Sequence, residues 1–138
     1  MIENAYDISK RSFAKKIGAV SNKFKRKIIL RDIEQAHILA STGYYKPSVI
    51  LSGSVIEELL RLYLEYKKIK PTKNNFDSYI QCCEKNGLLK SGINRLSDSV
   101  RHFRNIVHLE KENSPKMAIS KPIAIGAVSS IFTICDGF

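Results

Sequence analysis

The chain has 138 residues, of which 43% are hydrophobic and 26% charged, and its formal net charge is +10. This length suits one folded domain over 1–138, and the composition excludes a disordered chain. No run of about 18 apolar residues is present, which excludes a transmembrane helix. The N-terminus carries Glu3 and Asp7 and no apolar signal core, so we expect a cytoplasmic protein.

The first predicted helix, in 10–31, is basic and amphipathic. Between Lys10 and Arg31 there are nine basic residues and no acidic one. Such a field attracts polyanions, nucleic acid first and an anionic membrane surface second. A solvated helix face explains the same residues equally well. The apolar residues at helical spacing are Phe13, Ile17, Val20, Phe24 and Ile28. The candidate nucleic-acid contacts are Lys15, Lys16, Lys23, Lys25, Arg26 and Lys27.

The helical pattern continues over 28–42, whether or not the helix breaks near Lys25–Lys27, and a further helix is predicted over 47–68. Gly43 suits the cap after the first of them, and Pro47 suits the first turn of the second. The helix over 47–68 is the most hydrophobic of the chain, so we expect it to be the central, most buried helix.

Glu57 lies at the edge of the polar strip of this central helix. A carboxylate so close to an apolar face should find a cationic partner, because an unpaired buried charge is costly. Gly53, one turn earlier, would let another helix approach closely.

The remaining segments also predict helices. Asn75 is expected to cap a helix over 76–86, with Phe76, Tyr79, Ile80 and Cys83 inward and Gly87 after its end. The last helix should begin between Ser114 and Ser120, with Pro122 tolerated in its first turn. Valine and isoleucine runs at 28–30, 49–51 and 123–128 resemble strands, but their lengths and flanks favour helix. The predicted fold is therefore all-α, a compact bundle of five to six helices.

The helix predicted within 93–110 has two different faces. Its first stripe is apolar and consists of Leu96, Val100, Phe103 and Val107. Its second stripe holds Arg101, Arg104, Asn105 and His108. Two arginines, an amide and an imidazole on one face form a cationic cluster that contains a proton carrier.

The run Phe103–His108 resembles the Arg-Asn…His signature of the HEPN-like helical domains. Upstream, 36–62 resembles the Gly-x-x-x-Glu-x-Leu-Leu helix that precedes this signature, with Gly53 and Glu57 at matching positions. The two matches come in the family's order and, with the helix between them, cover about half of the chain. By this resemblance Glu57 occupies the family's glutamate position, and Arg104 is its candidate partner.

The resemblance implies a metal-independent endoribonuclease with no cofactor, working as a homodimer with a composite site. The RNA 2′-hydroxyl would attack the neighbouring phosphate, with His108 moving protons and Arg104 or Arg101 binding the phosphate beside Asn105. Three residues separate Arg104 from His108, fewer than is usual in the family, whereas six separate Arg101 from His108. A toxin–antitoxin or defence setting, with an antitoxin or other protein partner, is implied in the same way.

A structural interpretation competes with catalysis. Arg104 can pair with Glu57, Asn105 can bond to backbone, and His108 can cap the end of its helix. The alternative function is thus a non-catalytic HEPN-like module that binds protein or nucleic acid. The adjacent cysteines Cys82 and Cys83 point apart on a helix, so no metal site is expected.

Overall fold

The structure is a computed structural model that describes residues 23–89 and 119–135. These residues form four α-helices and no strand, which confirms the all-α prediction for this part of the chain. The four helices are α1 (Lys23–Ser41), α2 (Tyr45–Tyr66), α3 (Phe76–Lys85) and α4 (Lys121–Cys135). No helix within 23–89 and 119–135 is both long and apolar enough to cross a bilayer.

α2 is the central helix of the described bundle, as its sequence predicts. It packs against α1, α3 and α4, and α1 also packs against α4. The buried side chains of all four helices belong to one hydrophobic cluster. α2 can hold this position because apolar residues cover most of its circumference. The α2 side chains in this cluster are Val49, Val55, Ile56, Leu59, Leu60, Leu62, Tyr63 and Leu64.

Glycine ends two of the helices by the expected route. Gly43 follows α1 with φ +90°, and Gly87 follows α3 with φ +65°. In both places the next N–H returns to a carbonyl in the last turn, with Tyr44 donating to Leu39 at 2.9 Å after α1. These are Schellman ends, which need a left-handed residue that glycine adopts without strain.

α2 ends by the same geometry, but a lysine takes the glycine position. Lys68 has φ +58°, and its N–H donates to the Glu65 carbonyl at 3.1 Å. The Ile69 N–H donates to the Leu64 carbonyl at 3.0 Å. The two bonds complete a Schellman end, and Lys68 carries the left-handed strain that Gly43 and Gly87 avoid.

Two predicted boundaries of α2 were wrong by two residues. α2 begins at Tyr45 rather than Pro47, because proline is tolerated anywhere in a first turn where N–H groups lack helical partners. α2 ends at Tyr66 rather than residue 68, because Lys68 leaves the helical conformation.

α3 forms as predicted, with a one-residue difference at its end. The Asn75 side chain accepts a hydrogen bond from the Ser78 N–H at 2.9 Å, which confirms the predicted cap. The helix ends at Lys85, and Asn86 occupies the position after it. All four residues predicted to face inward are buried: Phe76, Tyr79, Ile80 and Cys83.

α4 begins at Lys121, one residue after the predicted window. Pro122 lies in its first turn, where its missing N–H costs no helical hydrogen bond. α4 contributes mostly small and branched side chains to the core, together with Phe132, and it packs against α2. These buried residues are Ala124, Ala127, Val128, Ile131, Phe132, Ile134 and Cys135.

Two serines of α2 are fully buried, which the sequence did not predict. Ser48 is 0% exposed, and its hydroxyl donates to the Ala36 carbonyl of α1 at 2.7 Å. Ser52, one turn later, is also 0% exposed, but its Oγ has no hydrogen-bond partner among the described residues. One hydroxyl therefore ties α1 to α2, whereas the other is buried with no compensating hydrogen bond from the described part of the chain.

We expect these two serines to respond oppositely to alanine. Ser48→Ala removes a buried hydrogen bond and should lower the free energy of unfolding by about 0.5–1.5 kcal/mol. Ser52→Ala removes an unpaired buried hydroxyl and should leave that free energy unchanged or raise it. Urea unfolding followed by circular dichroism measures both. An equal loss in the two variants would contradict the assignment of Ser52 as unpaired.

Candidate functional site

The residues of the predicted catalytic face lie outside the described residues, and so do two of the candidate nucleic-acid contacts. Lys23 is the first residue of α1, and the structure describes its backbone but not its side chain. Glu57, Lys25, Arg26 and Lys27 are the predicted site residues whose side chains the structure places. The predicted site residues outside the described ranges are Arg101, Arg104, Asn105, His108, Lys15 and Lys16.

Glu57 lies half-buried at the rim of the core on α2. Leu59 and Leu60, two and three residues further along, are both 0% exposed. No cation among the described residues lies within ion-pair distance of the Glu57 carboxylate. Its expected partner, Arg104, lies outside the described residues. The Glu57 carboxylate is therefore partly shielded from water, and a cation placed beside this side of α2 would stabilise it.

Arg61 is the cation nearest to Glu57 along α2, and it pairs with two other acids. Its Nη2 and Nε donate to the Glu58 carboxylate at 2.5 and 3.1 Å, and its Nη1 donates to Glu65 at 3.2 Å. Hydrogen bonding to Glu58 raises the pKa of Arg61 above its ordinary value. The polar side of α2 carries three carboxylates, those of Glu57, Glu58 and Glu65. The Arg61 guanidinium bonds to the last two. The i,i+3 and i,i+4 spacings in the sequence are the signal for this network.

The close approach of another helix expected at Gly53 is not made by any described segment. Gly53 is half-exposed, and a Cβ built there meets no described atom within 4 Å. Gly53 and Glu57 lie one turn apart, so they share one edge of α2. Within residues 23–89 and 119–135, this edge is accessible to a further element.

The basic end of α1 is continuous with the rest of that helix. α1 runs without a break through Lys25, Arg26 and Lys27. Lys27 is exposed, whereas Lys25 and Arg26 are half-buried. Further along, Arg31 bonds to its neighbour Asp32 at 2.9 Å, which reduces the local positive charge. Lys27 is therefore the most accessible candidate contact that the structure places on this helix.

α1 and α2 form an antiparallel hairpin, which decides where these basic residues lie. The chain links the two helices through Thr42–Tyr44 only. The Ser48 contact with Ala36 fixes their register near the turn. The first residues of α1 therefore lie at the end of the bundle where α2 finishes.

Two other reactive side chains in the described region have environments that restrict their chemistry. Burial raises the pKa of Cys83 to about 12, so this thiol stays protonated near neutral pH and is not a thiolate nucleophile. Burial lowers the pKa of His37, which is half-buried on α1. No group of three or more His, Cys, Asp or Glu side chains within the described ranges is arranged to hold a metal ion.

Comparisons with protein-family models, curated proteins and solved structures give no match to this chain. A function is therefore inferred from the residues themselves. The described part contributes a helix with Gly53 and Glu57 on an accessible edge and Leu59 and Leu60 in the core.

Proposed function

We propose that the protein is a HEPN-like, metal-independent endoribonuclease that works as a homodimer. The observation that supports this proposal is the position of Glu57. It lies half-buried on the central helix without a cationic partner among the described residues, while Leu59 and Leu60 of the same motif fill the core. By the family resemblance, the glutamate of this helix is expected to pair with the arginine of the helix predicted within 93–110, which carries the Arg-Asn…His signature.

The proposed reaction needs no metal ion. The RNA 2′-oxygen forms a bond to the adjacent phosphorus while the bond from phosphorus to the 5′-oxygen breaks. One His108 takes the proton from the 2′-hydroxyl, and the His108 of the second copy gives a proton to the departing 5′-oxygen. Arg101 or Arg104 binds the phosphate oxygens through its planar donor fork. The products are a 2′,3′-cyclic phosphate and a 5′-hydroxyl.

The two arginines, Arg101 and Arg104, have different roles in this proposal: one binds the phosphate and the other stabilises the fold. If Arg104 neutralises Glu57, Arg101 is the residue that faces the phosphate. This division gives the partly desolvated carboxylate its cation and leaves six residues between the phosphate-binding arginine and His108. Asn105 then serves to position the backbone or the substrate beside them.

The second candidate function is a non-catalytic HEPN-like module that binds a protein partner or nucleic acid. The position of Glu57, with no cationic partner within residues 23–89 and 119–135, favours it too, because an Arg104 devoted to Glu57 needs no catalytic role. The toxin–antitoxin or defence setting, with an antitoxin as partner, belongs to the proposal through the family resemblance alone, and the cytoplasmic location stays a prediction from the sequence.

Cleavage of a mixed single-stranded RNA in excess chelator tests the proposal. We expect the wild-type chain to be dimeric by light scattering and to leave cyclic-phosphate ends on its products. Chelator-sensitive cutting, or products with 3′-hydroxyl ends, would contradict the mechanism. A folded, dimeric chain that binds RNA without cutting it would favour the binding module instead.

A further inference from the structure

The loop between α2 and α3 is strongly basic and exposed. Residues 66–76 contain four lysines and no acidic residue. All four lysines are exposed, and the ring of the neighbouring tyrosine is exposed as well. We call this set the loop patch; it consists of Tyr66, Lys67, Lys68, Lys70 and Lys73.

The stability of the neighbouring helices does not explain the whole loop patch. Lys67 and Lys68 follow the C-terminus of α2, where a positive charge is favoured by the helix dipole. Lys73 lies just before the Asn75 cap of α3, where a positive charge is disfavoured by the same effect. Lys68 also takes a left-handed conformation that glycine would adopt more easily. Lys70 belongs to neither helix end. Helix stability alone therefore does not account for Lys70 and Lys73 in this loop.

The loop backbone is anchored, so the lysines project from a fixed support. Ile69 packs against the hydrophobic cluster, and its N–H bonds to the Leu64 carbonyl at 3.0 Å. Pro71 is half-buried and restricts the backbone further. Ile69 thus packs toward the core while the four lysines of the loop are exposed.

An exposed aromatic ring lies among these charges. Tyr66 is 60% exposed, and the Lys67 Nζ lies 5.9 Å from its ring centroid. The same Nζ lies 5.6 Å from the centroid of Tyr63, which is buried. Lys67 is thus held beside the ring by cation–π attraction. In this arrangement the positive charge can bind a phosphate group while the exposed ring stacks on the adjacent nucleobase.

We propose that the loop patch binds single-stranded nucleic acid, with the lysines on the phosphates and Tyr66 stacked on a base. Proteins that hold single strands without sequence preference combine basic residues with stacking aromatic rings in this way. The antiparallel hairpin places the basic start of α1, including Lys27, toward the same end of the bundle. A strand bound at the loop patch therefore has further positive charge along its path.

Binding of a fluorescent single-stranded oligonucleotide, measured by anisotropy across a salt series, tests this proposal. The oligonucleotide is 2′-O-methyl RNA, which has no free 2′-hydroxyl and cannot be cut by the proposed mechanism. Binding is therefore measured independently of the ribonuclease proposal. Lys70→Ala/Lys73→Ala is compared with Lys85→Ala/Lys121→Ala, a control that removes two exposed lysines elsewhere and changes the net charge equally.

We expect the loop variant to bind roughly tenfold more weakly at low salt, and its log–log salt slope to fall by about 1.4, or about 0.7 per lost phosphate contact. The control variant should retain most of the wild-type affinity and slope. An equal loss in both variants would show a general charge effect and overturn the proposal. A wild-type chain that does not bind would overturn it as well.

A second pair of variants tests stacking. Tyr66→Ala should weaken binding by roughly tenfold, within the range for loss of one stacked base. Tyr44→Ala removes a ring that is equally exposed, at 61%, but lies at the other end of the hairpin, and should leave binding unchanged. Equal effects of the two tyrosine variants would overturn the stacking role. Tighter binding to anionic lipid vesicles than to the oligonucleotide, lost in the lysine variant, would assign the loop patch to membranes instead.

Discussion

Replacing His108 with alanine is expected to reduce RNA cleavage by about 10²–10⁴-fold, the usual contribution of a general acid or base. The effect should be large because the proposed reaction has no metal ion or cofactor to activate the 2′-hydroxyl. Histidine is the side chain whose ordinary pKa allows proton transfer in both directions near neutral pH. Single-turnover cleavage of a short labelled RNA, in excess chelator, gives the rate of the chemical step.

His102→Ala is the matched control, because it removes a histidine six residues earlier that is not on the predicted catalytic face. Its cleavage rate should stay close to wild type. Arg101→Ala and Arg104→Ala, measured in parallel, identify the phosphate-binding arginine. We expect Arg101→Ala to lose activity while staying folded, and Arg104→Ala to lower stability because Glu57 loses its partner. Full activity in His108→Ala would rule out the proposed chemistry.

Replacing Leu60 with alanine is expected to lower the free energy of unfolding by about 2–5 kcal/mol. Leu60 is 0% exposed on the helix that packs against all the other described helices. The truncated side chain leaves a cavity that the surrounding helices can close only in part, because α2 is held from several sides. This loss is a large part of the roughly 5–15 kcal/mol that stabilises a typical domain.

Urea unfolding followed by circular dichroism measures this loss, with Ile38→Ala as the matched control. Ile38 is 57% exposed, so removing its side chain should change the free energy of unfolding by less than about 0.5 kcal/mol. The two variants remove aliphatic side chains of equal carbon number from the inside and the outside of the bundle. A Leu60→Ala loss no larger than that of Ile38→Ala would show that α2 is not the central helix.

The helices were predictable where periodicity and end signals agree. The valine and isoleucine runs at 28–30, 49–51 and 123–128 carry strand-like residues, yet all three lie in helices. Their apolar positions recur along segments too long for strands, and that feature decided the prediction correctly. Asn75 and Gly87 were readable as helix ends because each has a backbone role that few other residues fill.

Lys68 and the buried serines were not predictable, and the reason is physical. Lysine carries no signal for a left-handed cap, so nothing in the sequence marks the end of α2 at Tyr66. Serine within an apolar stripe is most simply interpreted as a break in the stripe. Ser48 is buried because the partner for its hydroxyl, the Ala36 carbonyl, lies across a tight hairpin. Tertiary packing supplies that partner, and local sequence does not contain it.

The candidate site was likewise predictable from the sequence only in part. The position of Glu57 at the rim of the core follows from helical periodicity, and the structure places it half-buried there. Its expected pairing with Arg104 stays a prediction, because Arg104 lies outside the described residues. The Arg61 network was accessible from spacing alone, since Glu58 and Glu65 lie three and four residues from Arg61. That Arg61 pairs with Glu58 and Glu65 rather than with Glu57 depends on side-chain geometry, which the spacing of the residues does not determine.

The tight connection between α1 and α2 has a consequence for the order of folding. Only Thr42–Tyr44 separates the two helices, whereas residues 67–120 separate α2 from α4. Closing the short connection costs less chain entropy, so the hairpin of α1 and α2 should form early and α4 should dock late. Until α4 docks, the side of α2 that it covers stays open to water and to other chains. A nascent or truncated chain that lacks 119–138 should therefore be prone to aggregation through that side of α2.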